Sequence, residues 1–143
     1  DALVGIGQPG RLALEFTREA ADAESAVRSA LANVRSAVPS AKLIEVAPDL
    51  VGLTDVADIV GVSRQNMRKL MLAHPGSFPA PVHEGSASIW HLADVLTWMQ
   101  AKGSYSLAKD VLDVARVALQ VNVAKEGRRL PHSASKELQA LVG

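Results

Sequence analysis

The chain has 143 residues, 48% of them hydrophobic and only 3% aromatic, so a core sized for one compact domain or two small ones must be built from Val, Leu and Ala. It has no cysteine, which excludes disulfides, thiolate metal sites and cysteine nucleophiles, and no apolar run approaches the ~20 residues that cross a bilayer. Fifteen basic and fifteen acidic residues cancel, a balance that counts against nucleic-acid binding, where phosphate contacts supply much of the affinity.

The charge is unevenly spread. Residues 1–50 carry five basic and seven acidic groups, residues 51–103 four of each, and residues 104–143 six and four. Binding to DNA therefore requires the cations to gather on one face.

In chain order, residues 2–6 (Ala-Leu-Val-Gly-Ile) predict a short strand, Gly7-Gln8-Pro9-Gly10 a turn, and residues 11–17 a half-buried strand with Leu12, Leu14 and Phe16 on one face. Gly5, Gly7 and Gly10 match a dinucleotide fingerprint by letter. Yet Pro9 precedes the third glycine and a strand follows, so no helix N-terminus is there to receive a pyrophosphate. The stretch reads as a hairpin. Across residues 19–38 the period changes: Ala23, Ala26, Val27, Ala30, Leu31, Val34 and Val38 recur at three and four, and Pro39 stops this amphipathic helix. Residues 42–47 are β-prone, and Pro48-Asp49 ends them. Strand, strand, helix, strand is how four-stranded β-α-β-β-α-β sheets end. The expected first unit, residues 1–49, is therefore a small α+β domain, a ferredoxin-like remnant whose first strand and helix are absent. Asp1 stands directly against a strand, so residues trimmed or disordered upstream are expected. The alternative is a three-stranded sheet completed by another subunit.

The informative stretch runs from Leu53 to Leu70. Thr54 is expected to cap a helix burying Val56, Ala57 and Val60. Gly61 sits where that helix ends and tolerates left-handed φ, Val62 fills the gap between helices, and Ser63 caps the second helix. Met67 and Leu70 pack back. This spacing is what a helix-turn-helix requires. The second helix keeps an outward set: Arg64, Gln65, Asn66, Arg68 and Lys69. Gln and Asn pair with adenine, Arg with guanine, and Lys or Arg neutralises phosphate. Residues 78–90 then read as two short strands around Glu84-Gly85-Ser86, a β-hairpin wing. Residues 91–99 form another helix, with Leu92, Val95, Leu96 and Met99 at helical spacing.

With Phe78, Pro79, Pro81, Trp90, Asp94, Val95, Leu96 and Trp98 in place, this stretch resembles the winged helix-turn-helix of the MerR-like superfamily, in particular the excisionase or AlpA-like regulators. The resemblance covers about a third of the chain. It implies a sequence-specific binder of double-stranded DNA, with Ser63 and the outward set on the recognition helix and His83, Ser86 and Ser88 on the wing. It implies a transcriptional repressor or antitoxin-like autoregulator, with an excisionase-like architectural role as the alternative. Wings of that family usually carry Arg or Lys, and this one does not. The neutral charge and acidic wing favour a rival from another class, a protein-interaction module that has lost DNA.

His83 and His91 flank the wing, but no carboxylate or Cys stands at ligand spacing, so no metal is expected. No cofactor is implied, and no Ser-His-Asp or paired-carboxylate arrangement points to an enzyme. Trp90 and Trp98 read as core anchors, and His74 and His132 as loop residues. The expected location is cytoplasmic and nucleoid-associated. A C-terminal helix from Leu107 to about Lys125 has two apolar stripes. Leu112, Leu119 and Val123 form the one expected to seam a homodimer, with the open edge of the N-terminal sheet as the other candidate seam; a toxin-like protein is a further expected partner. Lys125, Arg128 and Arg129 form a modest basic cluster, expected in a solvated loop. The expected fold is thus α+β: a small sheet and helix, a winged helix-turn-helix over 50–103, and a helical arm over 104–143.

Overall fold

Apolar burial concentrates in the middle of the chain and on one helix that returns to cover it. The computed structural model describes residues 2–6, 11–16, 22–103 and 107–143. Its architecture is mixed α+β. β1 (Ala2–Ile6) pairs antiparallel with β2 (Leu12–Phe16), and α1 (Ala23–Ala37) follows. The expected turn at 7–10 lies outside the described residues. β2 leaves Leu12 63% exposed and α1 has no buried residue.

β3 (Leu50–Val51), α2 (Leu53–Val60), α3 (Arg64–Ala73), β4 (His83–Glu84), β5 (Ser88–His91) and α4 (Leu92–Lys102) form the packed body. Its sheet is antiparallel in the order β3-β5-β4. Val56, Met67, Leu92, Val95, Leu96 and Met99 are fully buried, with Ala57 at the close approach of the helices. α5 (Lys109–Arg129) closes the body: Leu112 and Ala115 join the same core, and Val111 and Leu119 pack against it. α6 (Lys136–Leu141) ends the chain with no buried residue.

Three expectations are corrected. Residues 42–47 form no strand; the third strand is β3, and it pairs with β5 rather than with the N-terminal hairpin, so the ferredoxin-like sheet is not built. The reason lies in α5. Asn122 accepts from the Val46 N–H at 2.8 Å and donates to the Val46 carbonyl at 2.8 Å, while Lys125 donates to the Ile44 carbonyl at 2.5 Å. Side chains satisfy the backbone groups that a ladder would have used. Second, Leu112 is buried and Leu119 half-buried within this chain, so the stripe expected to seam a dimer is spent on the protein's own core; Val123 alone remains exposed. Third, α5 runs on through Gly127 to Arg129, so Lys125, Arg128 and Arg129 lie on a helix and not in a loop.

Candidate nucleic-acid interface

The junction of α2 and α3 is set by two residues. Gly61 ends α2 at φ +76°, ψ 31°, and Val62 N–H reaches the Ala57 carbonyl at 3.0 Å. This is the left-handed conformation that glycine adopts without steric cost. Ser63 then caps α3, its hydroxyl accepting from Asn66 N–H at 3.1 Å. Thr54 has no such role. α2 starts two residues earlier than expected, and Asp55 supplies the cap by accepting from Gly52 N–H at 3.0 Å.

α3 buries Met67 and rests Leu70 and Met71 on the core. A helix turns about 100° per residue, so Gln65, Lys69 and Leu72 stand opposite Met67, flanked by Asn66 and Arg68, with Arg64 nearer the edge. All six are exposed. The side chains of Arg64, Gln65, Asn66, Arg68 and Lys69 have no hydrogen-bond or ion-pair partner among the described residues. Three of the four cations of residues 51–103 are here, and α3 carries no acid. Leu72, 59% exposed on the same stripe, was not singled out from sequence. Its spacing of seven from Gln65 was the available signal.

The hairpin β4–β5 turns at residues 85–87, with Gly85 N–H on the Ala87 carbonyl at 3.2 Å. His83 and Ser86 are exposed, while Ser88 is half-buried in β5. The His83 ring lies over Gly85: a Cβ there would stand 2.8 Å from Nε2. The structure thus gathers the α3 set on one helix face and leaves His83, Ser86 and Ser88 on a separate hairpin, whose only formal charge is Glu84.

Rings brace the connection between α3 and the hairpin. Phe78 packs edge-on against Trp98 at 5.1 Å and Trp90 at 6.0 Å, and His74 against Trp98 at 5.3 Å. Trp90 Nε1 donates to the Pro79 carbonyl at 3.0 Å, which fixes the Phe-Pro link on β5. His74, expected in a loop, instead caps α3 and contacts the Leu70 carbonyl through Nδ1 at 3.0 Å.

Sequence reasoning missed a polar knot behind the sheet. The Asp49 carboxylate, 2% exposed, accepts from His91 Nδ1 at 2.7 Å and from Asn122 Nδ2 at 2.9 Å. It ties the end of β5 to α5 and explains why His91 serves packing. Among the described residues no group of His, Asp and Glu is placed to hold a metal ion. The basic cluster on α5 is largely spoken for. Lys125 and Arg129 both bond to Glu126, whose carboxyl they hold below its ordinary range. Comparison with protein-family models, curated proteins and solved structures finds no match to the chain.

Proposed function

We propose that residues 50–103 are a winged helix-turn-helix that binds double-stranded DNA, with α3 in the major groove and the β4–β5 hairpin as the wing. The carrying observation is the exposed face of α3: two amides and three cations, with no partner among the described residues and no acid among them. Holding such side chains unpaired on a rigid helix leaves their donors and acceptors for base edges and phosphates. The glycine turn, the Ser63 cap and the ring cluster fix that helix against the core, which is the preorganisation a reading site needs. Leu72 adds an apolar group suited to a thymine methyl. The neutral total charge does not oppose this reading, because the cations of the module are segregated onto α3.

The biological role proposed is transcriptional regulation, as a repressor or an antitoxin-like autoregulator acting as a homodimer in the nucleoid. A protein-interaction module is the second reading, favoured by one observation: the exposed hairpin carries Glu84 and neither Lys nor Arg. Selection of bound fragments from sheared genomic DNA separates the two. Enrichment of a common sequence supports DNA binding. Recovery no different from bare resin, at low salt, rejects it in favour of the second reading.

A further inference from the structure

Two surfaces of this chain are unfinished, and they are complementary. The first is a shallow groove where β3 meets α2. Leu50, 47% exposed, and Ile59, 37% exposed, form its apolar wall with Pro48. Asp55 and Asp58 rim it, and no basic residue lines it. Asp58 has no hydrogen-bond or ion-pair partner among the described residues. The second is the C-terminal tail. Leu130 is 53% exposed, and on α6 Leu138 is 57% and Leu141 81% exposed, with Val142 beyond it at 87%. Across 128–142 the tail carries Arg128, Arg129 and Lys136 against one acid, Glu137, a net positive charge, and Arg128 and Lys136 have no ion-pair partner among the described residues. A six-residue helix is too short to be stable in water on its own. Its apolar side chains need a surface.

We propose that the 128–142 segment of one copy docks in the β3–α2 groove of a second copy. Leu138 and Leu141 then cover Leu50 and Ile59, and Arg128 meets Asp58. Three features favour exchange between copies. The charges are opposite on the two surfaces. Pro131 and the residues to 135 leave α5 without helix, and α6 buries no residue against its own body. The root of the tail also lies beside the groove, because Lys125 and Asn122 fasten α5 to Ile44 and Val46, just ahead of Ala47 and Pro48 in the groove wall. With root and groove adjacent, a two-fold axis lets both tails cross and closes the pair, without open-ended growth. The proposal does not depend on DNA binding.

Light scattering of the full chain after gel filtration, at tens to hundreds of micromolar and without DNA, tests it. The parent is expected to be a dimer and Leu141→Glu a monomer that still melts cooperatively, lower than the parent only by the stabilisation that association supplies, since Leu141 is exposed within one chain. Asp58→Lys and Arg128→Glu are each expected to weaken the dimer roughly fivefold, and the two together to restore it, as a paired charge requires. A monomeric parent overturns the proposal, as does a dimer indifferent to Leu141→Glu or a double variant that recovers nothing. A monomer in which the charge reversals change melting temperature, and compensate one another, places the tail on its own chain and also overturns it.

Discussion

Gly61 sits at φ +76° and a Cβ there would touch nothing within 4 Å, so a Cβ adds backbone strain and no clash. Gly61→Val is expected to lose about 1–2 kcal/mol, and Gly61→Asn less, because Asn tolerates the left-handed region. Thermal melts of the two variants check the order. Equal melting of Val, Asn and parent would show that the turn relaxes. The sequence carried this position plainly, since a glycine between two amphipathic repeats, followed by Ser63, has few other uses. It carried the wrong cap for α2. Thr54 and Asp55 are both capping residues, and only the chain path at Gly52 decides that Asp55 reaches back.

Elements that depend on near neighbours were legible: β1, β2, α1, the α2–α3 pair, the β4–β5 hairpin and α4 all appear close to where periodicity puts them. Those that depend on distant partners were not. Residues 42–47 have strand propensity, but Asn122 and Lys125, some eighty positions away, take their backbone groups. β3 has two residues, too few for alternation to show. The Asp49 knot is one of these long-range ties, and it sets a prediction at this scale. Asn122→Ala leaves the Asp49 carboxylate and the Val46 backbone short of partners, at a cost of about 1–3 kcal/mol. Asn122→Asp keeps the shape but sets a second carboxylate 2.9 Å from a buried one, so it is expected to cost more. Urea melts rank them. An Asp variant more stable than the Ala variant would contradict the part assigned to Asn122.

For the whole molecule, α5 is structural. Leu112 and Ala115 belong to the core, so a chain ending at 103 leaves Leu96 and Met99 without their cover. A single Leu→Ala change in a core costs about 2–5 kcal/mol, a large part of the ~5–15 kcal/mol that holds a domain folded. The 1–103 chain is therefore expected to show no cooperative melt by circular dichroism. A sharp transition near that of the parent would return α5 to the role of a detachable arm. The two apolar stripes of α5 were visible in the sequence, but which of them faced the core was not, because both have helical spacing and differ only in what lies opposite.

The neutral net charge makes the cations of α3 the whole electrostatic case for DNA. The most direct test is a fluorescence-anisotropy titration of the selected duplex at several salt concentrations, with the parent, Gln65→Ala, Asn66→Ala, Arg68→Ala and Lys69→Ala. The parent is expected to bind more weakly as salt rises. Gln65→Ala or Asn66→Ala should relax base preference by roughly 1–3 kcal/mol per lost bidentate contact. Arg68→Ala and Lys69→Ala should each lower the salt slope by about one. Binding by all four variants with the affinity, preference and salt slope of the parent would contradict the assignment of α3 as the reading helix.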